Sequence, residues 1–431
     1  MTRPRGTANV PVDTFGFPIS WSIQTRREIR RFDDFLRAVP TAVRERWDRA
    51  RSEADAAVRD LPTPPEKTSR DRLARQRVTV AIPFPIQTGG MRVQMQLAKM
   101  MAAEGAEVHV RQVRGDDCTD DVYADFGLAS REPVGGPDRL VTSLRKTGPS
   151  TLLAGCWIDY PRAFEAGIGP VLGYSAGEPT LKEDAPFDER LLSFRIAAHR
   201  LPITLIAGSQ FIHSVYRERF GRDSLSLSVP IAEEIFAFKP GPTPGPSKFR
   251  VVIVGPEHLT TKGIPGALRA LQPLRSDGVQ IVWISSVHPS EQSTHLVDEF
   301  HVGLDATRVA EVVSSCHALV FPSRLEGLGN PPLEAMALGV PSILCPNGGS
   351  SEYAIDEENC LLVPYGRAEP LRTAVCRLRD DADLVTRLRG AGKITAKRYH
   401  PATVRQALTG FLASRAATLP SAAELQNDHS L

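Results

Sequence analysis

The chain has 431 residues, 42% of them hydrophobic, and a formal net charge of +2. Such a length holds two domains of ordinary size, and the near balance of charge excludes a large basic field for nucleic acid. Six cysteines (Cys118, Cys156, Cys316, Cys345, Cys360 and Cys376) are scattered without a CxxC pair, which argues against a zinc site or disulfide framework and for a reducing, cytoplasmic setting.

Residues 1–76 read as a helical N-terminal extension. Its start lacks a signal peptide's apolar core, and no apolar run in the chain reaches the ~20 residues that span a bilayer. Ile29, Phe32, Phe35, Leu36 and Val39 recur at roughly helical spacing, Pro40 punctuates the pattern, and Leu61 to Pro65 closes it. Two readings fit: helices packed on the first domain, or a docking or membrane-surface helix. The even mix of charge signs speaks against anionic lipid, although peripheral contact stays open.

Residues 77–240 form a first unit. Val78 to Ile82 is a buried strand and Met91 to Ala103 a helix, with Gly89 and Gly90 ending the loop between them. Glycines there let backbone N–H groups approach a ligand closely. Ser150 to Ile158, Val171 to Ser175 and Ile203 to Ala207 are further strands. Asp159 and Glu178 are candidate bases near strand ends, and Tyr174, Glu178 and Ser209 are candidate acceptor or sugar contacts.

Phe238 to Lys248 alternates Pro and Gly with no hydrophobic periodicity, so the boundary falls there, with 241–248 as linker. Domains joined in this way can hinge closed over a substrate. The second unit, 249–399, opens with the strand Phe249 to Val254, then a loop from Gly255 to Lys262-Gly263 and a helix. Helices follow Gly366; His400 to Arg415 is the last, and 416–431 is a polar, flexible tail.

The most informative stretch is EGLGNPPLE, in which Glu326 and Glu334 bracket seven residues. Ala318 to Pro322 before it and Val340 to Leu344 after it read as buried strands. Between them Asn330 suits an N-cap, Pro331 the first helical position and Gly339 the C-terminal cap, which predicts a helix over 331–338 with Glu334 in its first turn. A glycine-rich loop leading into a helix N-terminus offers amides to an anion. The carboxylates add acceptors for sugar hydroxyls. Phosphate beside a polyhydroxyl ring describes a nucleotide sugar.

The run from His317 to Gly366, HALVFPSRLEGLGNPPLEAMALGVPSILCPNGGSSEYAIDEENCLLVPYG, resembles the donor-binding half of family-four retaining glycosyltransferases. A weaker similarity covers Arg77 to about Leu412, and the Tyr174…Glu178-Pro179 loop is similar to one in bacterial rhamnan-type glycosyltransferases. The resemblance implies an α/β chain of GT-B architecture: two Rossmann-like domains with parallel sheets facing across a cleft, the first for the acceptor and the second for the donor. It implies that Glu326 contacts the donor sugar and Glu334 the ribose, that Gly348, Gly349 and Glu352 form the second glycine pair and following glutamate, and that Gly89 and Gly90 face the diphosphate across the cleft. It also implies a last helix crossing back onto the first domain. Lys262 matches the lysine of a Gly-Arg…Lys-Gly loop that holds the diphosphate. The arginine is absent: Pro256 follows Gly255, and His258 is one candidate substitute.

The implied chemistry is metal-independent transfer with retention. Lys262, Gly89, Gly90 and the amides of Gly327, Leu328, Gly329 and Asn330 surround the diphosphate, and Glu326 orients the sugar. No metal site or cofactor is expected; the partners are a UDP-, GDP- or dTDP-linked sugar and a small-molecule or glycan acceptor. Glu326 and Glu334 lie on one side of the bond, unlike a glycosidase pair. A nucleotide-sugar 2-epimerase of the same fold and a catalytically degenerate sugar-binding scaffold remain alternatives. A dehydrogenase is disfavoured because no GxGxxG follows either opening strand.

Overall fold

The computed structural model describes residues 29–34, 36–59, 73, 76–83, 89–114, 127–177, 189–239 and 248–415. Phe35, Glu178, the linker residues 241–247 and the tail 416–431 lie outside them.

Two parallel sheets organise the chain. Among the described residues the first has seven strands in the order β3-β2-β1-β4-β5-β6-β7, and the second six in the order β10-β9-β8-β11-β12-β13. In the first, β1 (Arg77–Ile82) lies between β2 (Glu107–Gln112) and β4 (Thr151–Ala154); β5 (Val171–Ser175) and β6 (Thr204–Ala207) follow outward to β7 (Leu225–Ser226), and β3 (Ser130–Pro133) forms the other edge. In the second, β8 (Phe249–Val254) lies between β9 (Val279–Ser285) and β11 (Ala318–Phe321). Beyond them come β10 (Glu299–Val302) on one side, and β12 (Ser342–Leu344) and β13 (Leu361–Leu362) on the other. Each half thus reverses strand order at its first strand, the point where α/β sheets bind ligands beyond the strand C-termini.

The strand sequences explain the class. RVTVAI, FRVVIV and ALVF are near-continuous apolar runs, as expected of parallel strands covered by helices on both faces. The strand expected over 150–158 stops at Ala154, because Trp157–Asp159 closes into a 3₁₀ turn. Glu299–Val302, not anticipated as a strand, pairs with β9 at the sheet edge; its half-exposed residues gave little apolar signal.

The extension packs on the first domain. Trp47 of helix Thr41–Arg59 meets Phe164 edge-on at 5.1 Å, and Phe32 meets Phe194 likewise at 5.1 Å. Arg222 is 1% exposed; it donates to both Asp55 oxygens of that helix and to the carbonyls of His199, Leu201 and Ile203. At the other end of the chain, helix Pro401–Arg415 packs against helix Gly89–Ala103, with Arg405 3.5 Å from Glu104. Ile231 N–H also donates to Tyr399 O at 3.0 Å, so the C-terminal segment returns to the first domain.

Candidate active site

The C-terminal ends of the two sheets meet. Beyond β11 the chain runs through Pro322 to Gly329 and enters helix Asn330–Leu338. This helix starts one residue earlier than its sequence suggests. Gly329, at φ 89°, occupies the cap position, and Asn330 makes no side-chain cap. Glu334 therefore lies beyond the first turn. At the other end Gly339 adopts φ 74°, as a left-handed cap requires.

Glu326 is woven into the neighbouring loop. Its N–H donates to Asn347 O at 2.9 Å and its carbonyl accepts from Gly349 N–H at 3.1 Å. The 3₁₀ turn Gly349–Glu352 follows. Tyr353, 1% exposed, donates its hydroxyl to Gly329 O at 2.8 Å. Burial, with the Glu326 charge beside it, pushes this phenol well above its usual range, so it remains a donor at any working pH.

Lys262 ends the 3₁₀ turn Thr260–Lys262, and Gly263 at φ 66° leads into helix Ile264–Leu271. Its ammonium lies 2.6 Å from Glu326 Oε1 and 5.6 Å from the centre of the Phe321 ring. Trp283 Nε1–H holds Gly255 O at 2.8 Å, and Arg324 N–H donates to Thr261 O at 2.8 Å. The Lys262 loop and the Glu326 loop are thereby joined through backbone as well as charge. No arginine stands in the loop from Pro256 to Lys262; the Arg324 guanidinium lies over Tyr365, 5.7 Å from its ring centre.

The first domain closes on this floor. Ser209 is fully buried; its hydroxyl accepts from Ile212 N–H as a helix cap and donates to Gly327 O at 2.5 Å. Glu352 spans the same boundary, accepting from Gln210 N–H at 2.6 Å and from the Tyr399 hydroxyl at 3.1 Å. Gly327 lies so near Ala176 and Gly177 that a β-carbon would overlap the Ala176 carbonyl oxygen. Gly89 and Gly90 begin helix Gly89–Ala103 rather than ending the loop before it. From the first turn of that helix Arg92 crosses the cleft and donates to Leu304 O at 2.8 Å.

Glu334 is half-buried. Burial raises its carboxyl above the usual carboxylate range, and the Arg92 charge partly opposes that rise. The structure therefore brings Lys262, Glu326, Gly327, Leu328, Gly329, Asn330 and Glu334 together, with Arg92 facing them from the first domain.

Three expected site residues take other places. Tyr174 is 1% exposed within the first domain's core, so its ring packs instead of facing an acceptor. Ser209 serves as a helix cap and interdomain tie, leaving no hydroxyl proton for an acceptor. Asp159 is fully buried in a bidentate pair with Arg114, at 3.0 and 3.1 Å, which removes it as a base. Arg92, Gln210 and Tyr353 were not anticipated. An arginine two residues past a glycine pair was the one available signal for Arg92.

Residues 248–381 match the model of glycosyl transferases group 1. That match runs from β8 through helix Ala368–Asp380 and takes in the Lys262 and Glu326 loops. A segment covering 38% of this chain is 25% identical to MMP alpha-(1->4)-mannosyltransferase of Mycolicibacterium hassiacum, spanning 42% of that protein. A shorter segment, 21% of this chain, is 34% identical to an uncharacterised glycosyltransferase of Methanocaldococcus jannaschii and spans 26% of it. The chain thus matches less than half the length of either curated relative. Over the whole fold, Anabaena HepE in complex with UDP and glucose superposes with a TM-score of 0.66 at 14% identity, covering 79% of this chain and 100% of that one. Sucrose-phosphate synthase from Thermosynechococcus elongatus superposes at 0.65 and 19% identity, covering 77% and 96%. The two parallel sheets facing across a cleft are the GT-B architecture.

Proposed function

We propose that this protein transfers a hexose from a nucleoside diphosphate sugar to an acceptor hydroxyl, with retention of anomeric configuration. The observation that carries the reading is the Lys262–Glu326 pair, set beside a glycine loop and a helix N-terminus on the family-matched domain. A cation and backbone amides meet the diphosphate there, while carboxylates accept from sugar and ribose hydroxyls. A fold neighbour carrying UDP and glucose supports UDP as the first donor to test.

In this reading the C1–O bond to the diphosphate breaks and the acceptor oxygen attacks C1 from the same face. The departing phosphate oxygen takes the acceptor's proton. Lys262 and the amides from Gly327 to Asn330 stabilise charge developing on that oxygen. Glu326 turns from Lys262 toward the sugar hydroxyls as the diphosphate takes over the ammonium. The protein's own cations supply the neutralisation, so transfer proceeds without a metal. Closure excludes water that would hydrolyse the donor.

A thermal-shift screen against UDP, GDP, dTDP and their hexose conjugates tests this. The expected result is stabilisation by one base family, lost in Lys262→Ala. Absence of a shift with every nucleotide removes the donor-site reading.

A further inference from the structure

We infer that Arg92 is the second cation of the donor site, supplied from the first domain to the diphosphate in place of the arginine missing after Gly255. The inference rests on the nucleotide-sugar reading above.

The run from Glu326 to Glu334 is approached by a cation from each domain. Lys262 of the second domain touches Glu326 at 2.6 Å. Arg92 of the first domain bonds Leu304 O, just before helix Ala306–Ser314, and that helix packs against the helix carrying Glu334. A nucleoside diphosphate carries its charge along this run, and the loop after Gly255 offers Lys262 but no arginine, since Pro256 occupies the following position. One lysine leaves half of that charge without a partner inside a closed cleft, where unpaired charge is costly.

Arg92 is placed to complete the set. It stands in the first turn of helix Gly89–Ala103, just past the two glycines. It already spans the cleft, because its Nη2 donates to Leu304 O at 2.8 Å. Among the described residues that carbonyl is the guanidinium's hydrogen-bond acceptor, so one of its five donors is engaged and its positive charge remains for phosphate oxygens. The side chain is half-buried, which limits screening by solvent. Since the two cations belong to different domains, the diphosphate would draw the domains together. Donor binding and closure become one event.

The test separates charge from the Leu304 contact. Kd values are measured by calorimetry for UDP, GDP and dTDP and for UMP, GMP and dTMP, with wild type, Arg92→Gln and Arg92→Lys. Glutamine retains a donor for Leu304 O without the charge; lysine retains the charge. The expected result is that Arg92→Gln weakens the diphosphate by about tenfold or more and the matching monophosphate by much less, while Arg92→Lys keeps most of the diphosphate preference. Equal losses for mono- and diphosphate, or no loss, overturn the inference and leave the donor site standing. Wild type that binds no nucleotide overturns both readings. Thermal unfolding of each variant identifies a folding defect, and if Arg92→Gln does not fold, the diphosphate-to-monophosphate ratio of Arg92→Lys against wild type decides: a ratio that collapses with the charge retained overturns the inference.

Discussion

Lys262 Nζ and Glu326 Oε1 are 2.6 Å apart, and the two side chains are only 21% and 14% exposed. A pair this shielded loses more from removal of one partner than a surface pair does, because the remaining charge stays in the cleft. Lys262→Ala is expected to destabilise the protein by roughly 1–3 kcal/mol in urea unfolding, and Lys262→Ala with Glu326→Ala by less than the sum of the single changes. Non-additivity below about 0.3 kcal/mol would show that the pair is not coupled. In turnover with a nucleotide-sugar donor, Glu326→Ala is expected to cost about 10²-fold or more; unchanged turnover would place Glu326 outside the chemistry.

Gly327 lies close against the first domain. A β-carbon there would overlap the Ala176 carbonyl oxygen, and the Ser209 bond to Gly327 O would be pushed apart with it. Gly327→Ala is therefore expected to hold the cleft open without unfolding either sheet. Small-angle scattering should give a larger radius of gyration, and kcat should fall while the melting temperature moves by only a few degrees. A closed, fully active Gly327→Ala protein would mean that this approach is not used in turnover.

Where the sequence was legible, several local signals agreed on one answer. The helix carrying Glu334 had Pro331 and Pro332 inside its start, Gly339 past its end and apolar strands on both sides, so its existence followed from caps and periodicity together. Its first residue did not, because Gly329 takes a left-handed conformation that no composition signal reports. The cross-domain groups were illegible for a different reason. Ser209 has the spacing of an N-cap and the position of a cleft residue, and only the fold shows that its hydroxyl does the capping while bonding Gly327. Asp159 has the position of a strand-end acid, yet Arg114, 45 residues away, holds both its oxygens. Pairings at such separation leave no local trace.

The extension can be tested through Arg222. This fully enclosed guanidinium is neutralised by Asp55, its partner on helix Thr41–Arg59. Burial works against the arginine's charge, and Asp55 works for it. Asp55→Ala strands a buried cation, which typically costs about 3–5 kcal/mol. The expected outcome in urea unfolding is a large loss of stability from a residue far from the cleft, with a second domain that still binds nucleotide. A loss below about 1 kcal/mol would show that the extension is peripheral to the first domain's stability.

Glu334 gives a pH signature. Burial raises its carboxyl, with Arg92 opposing, so the folded chain holds that proton more tightly than the unfolded chain does. By linkage, stability falls with rising pH from the ordinary carboxylate value of about 4.3 up to the raised folded value, and above that the deficit is complete. The charged groups on the neighbouring helices do little to alter this. Lys393 lies against Gly339 at the far end of the Glu334 helix, and Arg308 pairs with Glu311 at 2.5 Å. Glu334→Gln removes the deficit, so the free protein is expected to melt higher than wild type at pH 7–8 and to match it near pH 4. The same change removes the carboxylate proposed to accept from ribose hydroxyls, and a hydrogen bond to a charged group is worth about 1.5–3 kcal/mol, or roughly 10- to 100-fold in nucleotide Kd. Gain in the free state with loss in the bound state is the pattern of a carboxylate kept in an unfavourable place for a ligand. If Glu334→Gln lowers the melting temperature at pH 7 and leaves nucleotide binding intact, the residue is structural and the ribose role falls.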